Sequence, residues 1–299
     1  MAVYNYAEQF SPILEQKYAQ ELTSYDLFQS NPQVKFIDAQ TIKLPSITVS
    51  GYKDHNRKGI GFNAGEVSNE WTPLKLDHDR DIEFAIDPMD VDETNQVLSI
   101  ANIQGTLETE QAIPEKDSYV YSKLYKEAET FASNGATIST ETLTAQNILE
   151  EFDKAMEKMD EASVPFEGRV LRVTPAINRL LKEAKELQRI MAVNGGKNKV
   201  SRSIYDLDDV TIKVIPSSRF KTKYNFTDGC VPAVDAKQIN FMLIHASAIV
   251  ARDKYSYIKV FTPEHDSRTA DKFLLQSRFY MGAFLIKNRA HGIYINAQA

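Results

Sequence analysis

The sequence predicts an α+β protein organised around a long helix, with an extended β-hairpin before it and a mixed α/β unit after it. Three stretches carry that prediction. Between Asp77 and Gln111, a strand in which Ile82, Phe84 and Ile86 alternate with Asp81, Glu83 and Asp87 turns at Asp87-Pro88 into a helical stretch. Between Gly51 and Gly65, the polar run GYKDHNRKGIGFNAG separates two strand-like segments. From Arg169, the strand RVLRVT runs into Thr174-Pro175, a helix cap followed by proline at the first helical position.

Taken in order, Phe10, Ile13, Leu14, Tyr18 and Leu22 have helical spacing up to Asn31-Pro32, which reads as an amphipathic arm docked on its own domain or on a neighbour. Strands follow from Val34 to Val49 around Pro45, and a return segment from Val67 to Leu76 carries Trp71 and Pro73. An isolated two-stranded excursion buries too little to be stable in water, so this one must lean on something. Asp90, Asp92 and Glu93 fall where a helix N-terminus favours negative charge. Val97, Ile100, Ala101 and Leu107 then give the long helix a narrow apolar stripe, with Pro114 expected to end the run. Tyr119, Val120, Leu124, Ala128 and Phe131 continue helically to a cap at Ser133-Asn134-Gly135.

Ala145, Ile148, Leu149, Phe152, Met156 and Met159 form an amphipathic helix whose methionines read as core filling. Ile177, Leu180, Leu181, Ala184, Leu187 and Met191 mark the helix after Thr174-Pro175, ending at Asn194-Gly195-Gly196. Lys197 to Arg202 reads as a solvated basic turn. Val210 to Ile215 is a strand stopped by Pro216. The rest reads as ribbons: Ile239 to Val250, Tyr257 to Phe261, Phe273 to Ile286, and Gly292 to Ile295 closing on Asn296.

Composition narrows the function. The 299 residues are 42% hydrophobic and 10% aromatic, enough for globular cores, and the net charge of −6 argues against a general basic face for wrapping nucleic acid. The single Cys230 excludes an intrachain disulfide or a cysteine-rich metal site. The N-terminus lacks the basic-then-apolar order of a secretory signal, and the most apolar run, Phe241 to Ala251, is too short to span a membrane. Gly59, Gly61 and Gly65 have the spacing of a phosphate loop without its preceding buried strand or following helix, so they read as a hairpin tip. His55, His78, His245, His265 and His291 are scattered without metal-ligand spacing. His78 with Asp77, Asp79 and Asp81 reads as a charged strand edge, and His245 as a core or interface histidine with one hydrogen bond. Asp87, Asp90 and Asp92 lack the glycine and distal glutamate of a calcium loop. No catalytic arrangement, metal site or cofactor cradle stands out, and a non-enzymatic chain is expected.

The order of parts resembles the major capsid proteins of tailed bacteriophages. The resemblance covers nearly the whole chain: the arm, the loop tipped by GYKDHNRKGIGFNAG, the return motif RDIEFAIDPMDVDETNQ, the step RVLRVTPAINRLLKEA and the closing ribbon FLLQSRFYMGAFLIKNRAHGIYI. It implies an N-terminal arm at 1–31, a peripheral domain with a spine helix and an extended loop (about 47–75) within 32–135, an axial domain at 136–238, and a return at 239–299 to the peripheral and axial sheets. It further implies self-assembly into hexamers and pentamers of an icosahedral shell around double-stranded DNA, in a virion assembled in the host cytoplasm. A scaffolding protein and a portal are the implied partners, with no membrane and no cofactor. The arm begins within the first residues, so a separate scaffolding protein or a mature chain is expected. Some members crosslink a loop lysine to a neighbour's asparagine; Lys53 and Lys58 lie in the matching loop, with no aligned acceptor. Bacterial nanocompartment shells share this fold, and a soluble α/β enzyme built on the strand–helix unit at Arg169 to Met191 is the reading from another class.

Two clusters are the expected contact residues. Lys53, Arg57 and Lys58 with Gly59 and Gly61 form the loop tip, and Asp87, Asp90, Asp92 and Glu93 form an acidic cluster placed at the start of the spine helix. The basic tip of one subunit is expected to dock on the acidic cluster of the next.

Overall fold

The computed structural model describes residues 21–30, 41–55, 62–93, 99–184, 204–262 and 271–299. The arm before Glu21, the start of the first expected strand and the basic run at 197–202 lie outside them. Helix α1 (Tyr25–Gln29) comes first, then strands β1 (Thr41–Val49) and β2 (Val67–Lys75), which pair antiparallel from Thr41 opposite Lys75 to Val49 opposite Val67. Pro45 and Pro73 fit inside this ribbon because each strand of a two-stranded sheet has a free edge for the missing N–H. Strand β3 (His78–Ile86) follows, then the short α2 (Pro88–Glu93).

The long helix starts at Ile100, after Ser99, whose backbone is extended. It runs as α3 (Ile100–Leu107), a π-helical segment (Glu108–Ala112) and α4 (Ile113–Thr130) with no break, roughly 45 Å at 1.5 Å per residue. Pro114 therefore does not end the run. A proline ring clashes with the carbonyl four residues back and removes one helical donor. The wider π turn just before Pro114 moves the backbone out of that clash, so the helix continues through it. The acidic residues accordingly belong to the separate α2 and not to the start of the long helix, which corrects the expected placement.

After α4, Gly135 closes the helix in the left-handed region at φ 102°, as the Ser-Asn-Gly signal predicts. Strand β4 (Thr137–Ser139), α5 (Ile148–Glu161), β5 (Arg169–Val173) and α6 (Pro175–Glu183) follow. The Thr174 hydroxyl caps α6 by accepting from Ile177 N at 3.4 Å. Helix α6 stops at Glu183, where Ala184 turns extended; Leu187, Met191 and the expected Asn194-Gly195-Gly196 end lie outside the described residues. Strands β6 (Asp206–Leu207), β7 (Val210–Val214), β8 (Tyr224–Asn225), β9 (Val231–Pro232), β10 (Ile239–His245), β11 (Ile249–Phe261), β12 (Phe273–Leu285) and β13 (Ile293–Ala297) complete the chain.

Two larger sheets result. One has the order β4-β13-β10-β5-β7-β6 and mixes parallel with antiparallel pairs; the other is the antiparallel β11-β12-β3. Central β10, INFMLIH, is covered on both faces, which explains why it reads as a continuous apolar run. Phe241 and Leu243 pack with Phe152, Met159, Ile177 and Leu181 of α5 and α6, bearing out the methionines as core filling. Met242 and Ile244 point the other way and join Tyr121, Leu124 and Ala128 of α4. The same core takes in Ala251, Met281 and Ala283 of the three-stranded sheet, so α4 is wedged between the two sheets.

Polar contacts fix α4 in that position. Glu115, Tyr119 and Lys123 share one stripe: Lys123 Nζ lies 2.5 Å from Asp77 Oδ2, the Tyr119 hydroxyl donates to Asp77 Oδ1, and Arg80 Nε lies 2.7 Å from Glu115 Oε1. His78 is buried rather than part of a charged edge: its ring stacks on Tyr119 at 4.1 Å and its Nε2 is 3.2 Å from Glu115. The strand alternation still holds, since Asp79 faces out and pairs with Arg278 at 2.6 Å. A single strand's pattern does not say which face a helix will cover. Burial alone would raise the Glu115 carboxyl, but the close approach of His78 and the Arg80 charge outweigh it and hold it below its ordinary value.

One turn after Lys123, Glu127 accepts the Leu285 N–H where β12 ends. Burial dominates here and pushes its carboxyl from 4.5 up to about 7, against the opposing Leu285 hydrogen bond and Lys123 charge. Because the folded state then binds a proton that the unfolded state has released, Glu127's contribution is fully present below about pH 4.5 and is lost as pH rises through about 7. Glu127→Gln keeps the acceptor and removes the titration. Denaturant unfolding at pH 5 and pH 8 should show the variant gaining up to about 3 kcal/mol on wild type across that interval. A pH-independent difference would contradict this.

Candidate functional site

The ribbon of β1 and β2 changes its apolar face partway along. At its base Ile42, Leu44 and Leu74 pack, with Leu76, on Phe284 and Tyr280 of the same chain. Farther out that face becomes Ser46, Thr48, Ser68 and Glu70, while the opposite face becomes Pro45, Ile47, Val49, Val67 and Trp71. These distal apolar residues are uncovered, with Ile47 72% and Val67 73% exposed. Tyr52 and Phe62, at the approach to the tip, are also exposed. Asn69, opposite Ile47, is the polar residue on this distal face, and exposed apolar faces of this kind are characteristic of contacts between molecules. The period-two signal for it stands in ITV and VSNEW, but composition alone hides it because each strand reads as half polar.

At the tip, Lys53 is exposed and its Nζ lies 3.3 Å from the Ala64 carbonyl. Asn63 Nδ2 donates to the Asp54 carbonyl at 2.8 Å, so the two legs of the excursion stay side by side beyond the paired strands. The excursion is thus a hairpin as far as its described residues reach. Arg57, Lys58, Gly59 and Gly61 lie outside the described residues.

In the acidic cluster, Asp87 caps α2: Met89 N donates to its Oδ1 at 3.0 Å. Asp90 is half-buried and Asp92 exposed, and Glu93 is the last residue of α2. Among the described residues, Lys53 bonds to the Ala64 carbonyl and not to Asp87, Asp90 or Asp92. Nearby α3 buries none of its residues, as its narrow stripe predicts for a helix that needs neighbours.

Sequence reasoning missed a second set of residues, the buried polar network that ties the N-terminal segment to α4. Asp117 is 0% exposed and accepts from Ser24 N at 3.0 Å, Thr23 Oγ1 at 2.9 Å and Arg219 Nη1 at 3.1 Å. Asp26 reaches the fully buried Arg172 at 2.5 Å and Lys213 at 3.1 Å. Burial would raise the Asp26 carboxyl, but the two cations outweigh it and lower it. Nothing in the spacing of these residues signals that they meet.

Among the described residues, no group of three His, Cys, Asp or Glu is placed to hold a metal ion, and no helix is long and apolar enough to cross a membrane. His245 makes more than the one expected hydrogen bond: Nε2 meets the Glu167 carbonyl at 2.9 Å and Nδ1 meets Ser247 Oγ at 2.8 Å. Cys230 is half-buried and its thiol is pushed up to about 11, chiefly by burial, which leaves it a poor nucleophile at neutral pH.

A helix wedged between two sheets, with a half-covered ribbon projecting from the same body, defines a chain that presents more apolar surface than one copy covers. No family model and no curated protein matches this sequence. Solved structures do. The mature capsid of bacteriophage PhiM1 superposes with a TM-score of 0.70 at 13% identity, covering 99% of this chain and 92% of that one. The capsid of cyanophage P-SCSP1u gives 0.69 at 13% identity over 98% and 93%, and Mycobacterium phage Che8 gives 0.64 at 16% over 99% and 98%. The chain has the fold of these phage structures, the first two of them capsids, along almost its full length.

The base and the distal face of the ribbon differ in what they contribute to the subunit. Ile42→Ala should cost the isolated subunit about 2–5 kcal/mol, because it empties a packed site. Ile47→Ser should stay within about 0.5 kcal/mol of wild type, because Ile47 is already in water. Denaturant unfolding of both variants measures this, and an equal loss at the two positions would show the distal face to be covered within the chain.

Proposed function

We propose that this chain is the major capsid protein of a tailed bacteriophage, assembling into hexamers and pentamers of an icosahedral shell that encloses double-stranded DNA. The observation that carries this reading is the ribbon, apolar on its uncovered face, in a chain whose whole length follows the fold of phage capsid structures. In this reading residues 1–31 are the arm, about 47–75 the extended loop, 32–135 the peripheral region with the spine helix, and 136–238 the axial domain. Residues 239–299 return to both sheets. A scaffolding protein and a portal serve assembly, which takes place in the host cytoplasm; packaged DNA is contacted without sequence preference. The subunit's role is structural, not catalytic.

The extended loop holds a neighbouring subunit by two kinds of contact. Ile47, Val49, Val67 and Trp71 lose water on docking, each worth about 1.5–3 kcal/mol when fully buried. Lys53, Arg57 and Lys58 then meet Asp87, Asp90, Asp92 and Glu93 of the next chain. Each exposed ion pair contributes only about 0–1 kcal/mol and weakens with salt. The apolar face therefore supplies most of the affinity and the charges set the register. Repetition around a ring raises the effective concentration of every later contact.

Electron microscopy of the purified protein, alone and with a scaffolding partner, tests the shell. Removing residues 52–63 should spare the subunit's fold and abolish assembly, since this polar stretch adds little to the core. Normal shells from the trimmed chain would make the loop dispensable.

The charge contact has its own test. Reversing Arg57 and Lys58 to glutamate should block assembly, and adding Asp90→Lys and Asp92→Lys in the same chain should partly restore it. If both single-cluster variants fold and the combination fails to assemble, the ionic pairing is wrong while the apolar contact stands.

A further inference from the structure

A cleft of about 440 Å³ lies where three turns meet: the loop after α5, the turn between β10 and β11, and the turn between β12 and β13. Its lining is chemically one-sided. Ala162, Val164, Pro165 and Ala248 give it an apolar wall; Asn288, Arg289 and His291 give it a polar wall; among the described residues no carboxylate lines it. In a chain of net charge −6, a recess free of acidic groups and edged by a guanidinium is a place apart.

The polar wall is built rather than incidental. His245, 7% exposed, is anchored by the Glu167 carbonyl on Nε2 and by Ser247 on Nδ1. The Ser247 carbonyl in turn accepts from Arg289 Nη1 at 2.9 Å and holds the guanidinium at the rim. The other Arg289 N–H groups, the Asn288 amide and the His291 ring have no hydrogen-bond partner among the described residues. The His291 ring lies with Cε1 and both nitrogens against Gly135, so close that a Cβ there would sit 2.0 Å from it, and only glycine leaves it that room. On the opposite rim Ser163 is held at φ 57°, a left-handed backbone uncommon for a residue other than glycine, asparagine or aspartate.

We propose that this cleft binds a nucleotide through its phosphate, with Arg289 as the charged contact, Asn288 as a further donor, and the apolar wall against the sugar or base. Arginine suits this because its planar fork meets two phosphate oxygens at once. The volume exceeds that of a bare ion and falls in the range of small-molecule sites. The nucleotide is either free or part of a nucleic-acid chain, and the phosphate chemistry is common to both. The proposal does not depend on shell formation, because all the lining residues belong to one subunit.

Titration calorimetry on the full-length protein tests it with three probes: inorganic phosphate, a nucleoside monophosphate and a short DNA duplex. The monophosphate should bind saturably and be displaced by inorganic phosphate. Arg289→Ala should weaken it at least tenfold, Arg289→Lys less, and Lys287→Ala, an exposed cation next door that does not line the cleft, less than twofold. Duplex binding with the same Arg289 dependence assigns the site to a nucleic-acid chain; monophosphate binding alone assigns it to a free nucleotide. The proposal falls if the monophosphate fails to saturate, if only inorganic phosphate binds, or if Lys287→Ala costs as much as Arg289→Ala.

Discussion

Everything in this fold depends on burying α4 from two sides at once. A helix between two sheets must show apolar groups in two directions, yet α4 keeps Glu115, Asp117, Tyr119 and Tyr121 buried among them. Each of these polar groups is matched: Glu115 to His78 and Arg80, Tyr119 to Asp77, Asp117 to Ser24, Thr23 and Arg219, and Tyr121 to Thr23. Burying such groups is unfavourable unless they are bonded, so the network restricts α4 to one rotation and one height between the sheets. The three-stranded sheet, the N-terminal segment and the ribbon base all take their positions from it.

The parts legible in sequence were those set by local periodicity and by caps. The alternation in β3, the Thr174-Pro175 start of α6, the Gly135 stop and the run of β10 each follow from neighbouring residues. Three features were not legible for a common reason. The passage of the helix through Pro114 depends on a change of helical pitch that no residue announces. The burial of His78 depends on which face of β3 receives a helix from elsewhere in the chain. The Asp117 network joins residues 93 to 102 positions apart, and no pattern in one sequence ties them together.

The candidate contact residues divide in the same way. The lysine at 53 and the acids of α2 stood out because like charges cluster in sequence. The more consequential apolar face was concealed: Ile47, Val49, Val67 and Trp71 become one surface only when the strands pair in register, with Val49 opposite Val67 and Pro45 opposite Trp71. Fold likeness at 13% identity is possible for the same reason, since a fold set by pitch, pairing and burial leaves most individual side chains free to change.

The switch of apolar face along the ribbon has a geometrical consequence. In the proposed shell, a ribbon that grips its own body with one face and offers the other outward would join unlike surfaces, a head-to-tail contact rather than a self-complementary one. Head-to-tail contacts have no built-in stopping number; closure is decided by the angle each one imposes, and small bends change the count. Among the described residues, the ribbon packs on the chain's own core at its base, around Ile42 and Leu76. In the proposed shell, a change of angle at that base would alter the ring size while leaving the chemistry of each joint the same.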